Sequence, residues 1–137
     1  MSVRYFIDTN ILIYTVSNIP DKKQCALSLL RGNAVISSQV LSESVNVLSR
    51  KLKFSYTEIK PVISRFSRQL KIYPIEFKTV ETAIRMAEYY KFSYYDSQII
   101  ASALEHECEI LYSEDMQDGQ VIEHCLRIVN PFYQTAG

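Results

Sequence analysis

The amino-acid sequence predicts one α/β domain over residues 1–137, built on a central, mainly parallel sheet of about five short strands with helices on both faces. Three observations lead there. Short apolar runs alternate with longer segments of helical periodicity. Residues that start and stop helices punctuate those segments at the right places. A chain of 137 residues is also long enough for one real core. Strands separated by helices imply right-handed crossovers and a parallel sheet covered on both sides.

Arg4-Tyr5-Phe6-Ile7 reads as a buried strand, broken by Asp8-Thr9-Asn10, which opens an apolar helix at Ile11-Leu12-Ile13-Tyr14. Pro20-Asp21 starts a second helix with Ala26, Leu29 and Leu30 on one side, and Gly32-Asn33 is expected to end it as a glycine C-cap. Ala34-Val35-Ile36 is a second strand. A helix from about Ser38 to about Lys53 is expected to turn Leu41, Val45, Leu48 and Leu52 inward. Ser55-Tyr56-Thr57-Glu58 is a capping box for a helix burying Ile59, Val62, Ile63, Phe66 and Leu70. Lys71 to Ile75 forms a third strand, whose Pro74 marks an edge or an end. The next helix carries Phe77, Val80, Ile84 and Ala87. Ser93 caps another, with Ile99, Ile100, Ala103 and Leu104 as its stripe. Glu109 to Tyr112 and Leu126 to Val129 are the last strands, joined through an acidic loop, Ser113 to Gly119.

Composition excludes several classes. Fifteen basic and fifteen acidic side chains give zero net charge, so a uniformly basic nucleic-acid surface is absent and any such partner must be attracted locally. Cys25, Cys108 and Cys125 have no metal-site or redox-pair spacing, which points to reduced thiols. No apolar run approaches the ~18 residues of a membrane span, and the N-terminus has no secretory core. A cytoplasmic protein without a membrane partner is expected.

In an open parallel sheet, ligands bind outside the carboxyl ends of the strands. Asp8 directly follows the first strand, Glu43 lies early in the helix after the second, Asp96 stands at a helix start, and Asp115 and Asp118 follow the fourth strand. Clustered carboxylates repel and raise one another's pKa, a cost that a divalent cation removes. Hard ions such as Mg²⁺ or Mn²⁺ take oxygen ligands and assist phosphodiester hydrolysis. Each acid also has a plainer role: Asp8 or Asp96 as a helix cap, Glu43 solvated, Asp115 and Asp118 as loop acids. Asp96 shares a helical stripe with Ile99, Ile100 and Ala103, where a lone acid needs a partner.

Four blocks resemble one family in order. Phe6-Ile7-Asp8-Thr9-Asn10-Ile11-Leu12 resembles the opening of PIN-domain proteins, as do Glu43 within Ser42 to Leu48 and Asp96 within Tyr94 to Leu104. Ile110 to Gly119 resembles VapC-type toxins of bacterial toxin–antitoxin pairs. The resemblance, from about Arg4 to Phe132, implies a PIN fold, a Mg²⁺- or Mn²⁺-dependent endoribonuclease acting on RNA, a homodimer, and inhibition by a cognate antitoxin. By position it makes Asp8, Glu43, Asp96 and Asp115 the catalytic and metal-binding acids, with Asp118 able to assist or replace Asp115. Asn10 and Ser113 would supply orienting hydrogen bonds. Ser97 stands where the family often has Ala, and Tyr112-Ser113 where Leu-Thr is frequent; neither removes a carboxylate.

Substrate grip has several candidates. Arg50, Lys51 and Lys53 form one basic run, and Arg65, Arg68 and Lys71 another; both suit a phosphate backbone or a solvated helix face. Tyr94 and Tyr95, beside Asp96, suit stacking on unpaired bases or ordinary packing. His106 and His124 fall away from the strand ends. Two other readings compete. A haloacid-dehalogenase-like phosphatase would need an acid where Asn10 stands, and a non-catalytic RNA-binding or adaptor domain would not need the carboxylates intact.

Overall fold

A computed structural model describes residues 2–133. In chain order its elements are β1 (Arg4–Ile7), α1 (Thr9–Ile13) with a 3-10 turn at Tyr14–Val16, α2 (Pro20–Leu29), β2 (Asn33–Ser37), α3 (Ser38–Arg50) and α4 (Tyr56–Gln69). Then come β3 (Lys71–Tyr73), α5 (Phe77–Tyr90), α6 (Tyr94–Glu105), β4 (Ile110–Tyr112), β5 (Val121–Ile122) and β6 (Leu126–Val129). The sheet order is β3-β2-β1-β4-β6-β5. Every pairing is parallel except β5 with β6. Met1 and residues 134–137 of the expected domain lie outside the described residues.

The topology fixes which helices share a face. The chain steps from β1 to β2 to β3 in one direction through α1–α4, then crosses back to β4 through α5 and α6. Right-handed crossovers put these two sets on opposite faces. Consecutive strand residues are accordingly buried: Phe6 and Ile7 on β1, and Val35 and Ile36 on β2. A smaller cluster of Ile13, Leu48 and Ile59 joins α1, α3 and α4. Burying each such side chain stabilises the fold by about 1.5–3 kcal/mol.

The N-terminal cap signals at Ser55 and Ser93 are borne out. Ser55 and Glu58 form the reciprocal capping box, and Ser93 accepts from the Asp96 amide at 3.2 Å. Four expectations are corrected. First, α3 ends at Arg50, Leu52 is exposed beyond it, and the fully buried face is Val40, Ser44 and Leu48. The helix is covered from several directions by β2, α1 and α4, so Leu41 and Val45 are only partly buried. Second, α5 buries Thr79, Ala83 and Met86, while Phe77 and Ile84 are 78% and 55% exposed. Its neighbour is α6, where Thr79 Oγ1 donates to Glu105 at 3.1 Å, and small Ala83 permits close approach. Third, β3 stops at Tyr73, and Pro74 follows an edge strand. Fourth, a sixth strand exists: β5, two residues long, turns back on β6.

Gly32 has a different role from the expected left-handed cap. It is absent from the positive-φ positions, and a Cβ there would land on the hydroxyl and ring of Tyr5. Tyr5 donates that hydroxyl to the Leu29 carbonyl near the end of α2. Gly32→Ala is therefore expected to cost about 1–3 kcal/mol by overpacking. Chemical denaturation checks this, and the loss should shrink in a Tyr5→Ala background, where the collision is gone.

Among the described residues all three cysteines are free, and no helix is long and apolar enough to cross a membrane.

A candidate active site of four carboxylates

The sheet reverses its order of growth between β1 and β4, the place where open α/β sheets bind ligands. Asp8 sits there. Its amide donates to Tyr112 O at 3.0 Å, extending the β1–β4 ladder by one bond. Its backbone then turns to cap α1.

Both carboxylate oxygens of Asp8 are held. Oδ1 accepts from the Thr9 amide at 2.7 Å, and Oδ2 accepts from Ser113 Oγ at 3.0 Å. Ser113 Oγ itself accepts from the Met116 amide at 3.2 Å, so its own proton is directed to Asp8. Asp8 is only 9% exposed. Burial raises its pKa to about 6, against the hydrogen bonds from Thr9 and Ser113; the charges of Asp96 and Glu43 push the same way as burial.

Three other acids complete the cleft. Glu43, on α3, accepts from Thr9 Oγ1 at 2.9 Å. Asp115, on the loop after β4, accepts from Asn10 Nδ2 at 2.7 Å. Asp96, in the first turn of α6, is half-buried; burial raises its pKa, the Ser93 hydroxyl opposes that, and the charge of Asp115 adds to it. The tripeptide Asp8-Thr9-Asn10 thus supplies one acid and orients two more. Together with Asn46, Val47 and Ile99 these residues line a cleft of about 220 Å³.

The loop bearing Asp115 is pinned at both ends. The Ser113 amide donates to Val129 O, and the Gly119 amide to Ile128 O, with Gly119 at φ +86°, where side chains are disfavoured. Glu114 turns away from the cleft to an ion pair with Lys22 and a 2.6 Å bond from Tyr14. Burial alone would raise the Glu114 pKa, but those partners outweigh it and hold it low. Asp118 is also directed elsewhere: its Oδ1 accepts from the Asn130 amide at 2.7 Å, and it does not line the cleft. Of the two loop acids, the geometry puts Asp115 in the cleft and gives Asp118 to the loop's attachment. His106 stacks on Tyr73 at 3.7 Å and His124 is exposed; neither lines the cleft, and neither do the two basic runs. Thr9 and Asn46 are the polar cleft residues that reading the sequence did not single out. The signals were Thr9's adjacency to Asp8 and Asn46's place three residues after Glu43, on the same helix face.

The donor set fits a hard divalent cation. Among the described residues the ion pairs involve Glu114 and Glu76, so none of the four acids is neutralised by Lys or Arg. Among the described residues, no three acidic, His or Cys side chains close on one coordination point. Mg²⁺ tolerates that spacing, because it keeps several waters and takes only one or two carboxylates directly.

Comparison with known proteins agrees with this architecture. Among solved structures, a toxin–antitoxin complex from Klebsiella pneumoniae superposes with a TM-score of 0.71 at 28% identity, over 93% of this chain and 97% of that one. VapBC2 from Rickettsia felis, bound to a fragment of its promoter DNA, gives 0.67 at 23%, over 93% and 100%. VapC20 from Mycobacterium tuberculosis, a sarcin-ricin loop cleaving toxin, gives 0.67 at 17%, over 81% and 89%. No curated protein sequence matches. The PIN domain profile matches residues 5–117, a span that contains Asp8, Glu43, Asp96 and Asp115. With its mainly parallel six-stranded sheet and its acids at the switch between β1 and β4, the chain belongs to the PIN domain family.

Proposed function

We propose that this protein is a metal-dependent endoribonuclease of the VapC kind, the toxin of a bacterial toxin–antitoxin pair, working in the cytoplasm. The observation that carries the reading is the cleft itself: four carboxylates from four separate segments meet at the sheet's switch point with no cationic partner among the described residues. The likeness at 28% identity to a chain from a toxin–antitoxin complex supports the toxin assignment and an antitoxin partner. RNA as the substrate class is in keeping with the Mycobacterium tuberculosis neighbour, a toxin that cleaves the sarcin-ricin loop.

Asp8, Glu43, Asp96 and Asp115 would hold Mg²⁺ or Mn²⁺. When bound, the ion supplies an activated water and offsets charge building on the phosphate. The protein's part is orientation. Thr9 and Ser113 fix both oxygens of Asp8, Thr9 fixes Glu43, and Asn10 fixes Asp115. A homodimer is part of the reading, as the family resemblance implies, and Phe77 and Ile84, both exposed on α5, are available for such a contact.

The test is cleavage of total cellular RNA by the purified chain, free of other proteins, in Mg²⁺, Mn²⁺ or EDTA. Discrete products that require the metal are expected. A folded, metal-supplied chain that cuts none of the RNA classes would sink the reading.

The two loop acids give a sharper check. Asp115→Ala is expected to lower cleavage at least about a hundredfold, in line with the loss of one transition-state electrostatic partner. Asp118→Ala should leave metal affinity unchanged and lower stability by about 1–2 kcal/mol, because the Asn130 amide loses its acceptor. Metal titration and thermal melts on both variants separate the two roles.

A further inference from the structure

Beside the carboxylate cleft lies a second, larger one of about 430 Å³, within the size range of small-molecule sites. The two share Glu43 and Asn46 as a common wall. Its other walls are Gln39 and Ser42 on α3, Ile75 after β3, and Tyr95 and Gln98 on α6. Resting on the nuclease reading above, we propose that this second cleft receives an unpaired nucleobase of the RNA, next to the phosphate held at the four acids.

The chemistry of the walls carries the inference. Tyr95 is 63% exposed yet not loose: its ring packs edge-on against Tyr94 at 5.3 Å, and Tyr94 in turn donates its hydroxyl to Gln98 Oε1 at 2.8 Å. An aromatic face held open to solvent in one orientation can stack a base with little further ordering. Ile75 supplies an apolar wall and is itself fixed, its amide donating to Ser38 Oγ at 3.0 Å.

The hydrogen-bonding groups are arranged as base readers. Gln98 Nε2 donates to Gln39 Oε1 at 2.8 Å, and Gln39 Nε2 donates to the Tyr95 carbonyl at 3.2 Å. The relay sets which end of each amide is nitrogen and which is oxygen, and leaves each amide group one N–H. Both glutamines are buried, at 9% and 7% exposed, so a polar base edge would replace few waters there. Asn46 is exposed, and its side chain has no hydrogen-bond partner among the described residues. It stands on the shared wall, one helical step from Glu43, and can donate to and accept from a base edge together. Neutral amides and a stacking ring suit a base and not a phosphate, which the neighbouring acids would repel without their cation. Single-stranded RNA offers such bases, and paired RNA does not.

The experiment titrates the native chain, with Mg²⁺ present, with the four nucleoside 5′-monophosphates and with ribose 5-phosphate, following the side-chain amide resonances of Gln39, Asn46 and Gln98. At least one nucleotide is expected to bind about tenfold more tightly than ribose 5-phosphate and to move those resonances. Tyr95→Ala should erase that advantage by about tenfold or more, as loss of one stacking partner does. Because the ring is exposed, the variant's fold should stay intact in a melt. Asn46→Ala should change the order of preference among the bases. Equal binding of all five probes, or shifts confined to other parts of the surface, would overturn the subsite and leave the cleft to a protein segment. RNA cleavage without base preference removes the subsite alone. Base preference without any RNA cleavage keeps the subsite and removes the nuclease reading.

Discussion

Asp8→Asn is expected to abolish metal-dependent RNA cleavage while making the metal-free protein more stable near neutral pH. Asparagine keeps the shape of the side chain and can still accept from the Thr9 amide, so the fold persists. What disappears is a negative charge that both its neighbours and its burial oppose. Loss of the acid nearest the switch point should lower the rate by about a thousandfold or more, equivalent to ~4 kcal/mol of barrier. At pH 7.5 the same change should raise stability by about 1–3 kcal/mol, the order set by the displaced pKa. The pair of effects is the diagnostic. A merely structural Asp8 would give a less stable protein, whereas a residue kept at a cost to stability for chemistry gives a more stable, inactive one. Single-turnover cleavage and urea denaturation of native and variant protein measure both. An active variant, or an inactive one that is also less stable, would count against the assignment.

The second large effect is on the pH dependence of stability without metal. The Asp8 carboxyl is raised from its ordinary 3.8 to about 6. The folded state therefore binds the proton more tightly than the unfolded state does. Its contribution is fully present below about pH 4 and is lost as pH rises through 6, amounting to about 3 kcal/mol. Asp96 is raised as well and acts in the same direction. Glu114, held low by Lys22 and Tyr14 against its burial, acts in the opposite sense at the acid end, where protonation breaks its contacts. Melts in EDTA should show the midpoint falling between pH 4 and pH 7, and Asp8→Asn should flatten that slope. Adding Mg²⁺ or Mn²⁺ at pH 7.5 should restore about 2.7 kcal/mol at a hundred times the dissociation constant. A metal-free chain whose stability climbs across this window would contradict the burial of Asp8 beside two other acids.

Much of this was legible in the residues. Strands appeared as apolar runs because both sheet faces are covered, and helix starts appeared through Ser55, Glu58 and Ser93, whose bonds are local. What escaped depends on partners distant in the chain. Helix α5 has apolar residues around much of its circumference, and only its docking on α6 selects Ala83 and Met86 over Phe77 and Ile84. Strand β5 is too short to show a period and exists because β6 offers an edge. Asp115 and Asp118 look alike in a loop; the bonds to Asn10 and Asn130 separate them, and both depend on how the chain folds back on itself. The wall formed by Gln39, Asn46 and Gln98 was equally hidden, since polar helix residues read as solvated until two helix ends converge.

The attachment of the acidic loop has a consequence in time. Ser113 and Gly119 hang from Val129 and Ile128, and Asp118 from Asn130, so the segment bearing Asp115 is held by residues that are made after all four acids. A ribosome adding about 5–20 residues per second releases Asp8 and Glu43 seconds before that support exists. The four carboxylates can therefore assemble only after residues 128–130 have been made. Until then the growing chain is unarmed, and the interval between release and assembly is when another protein can reach it first.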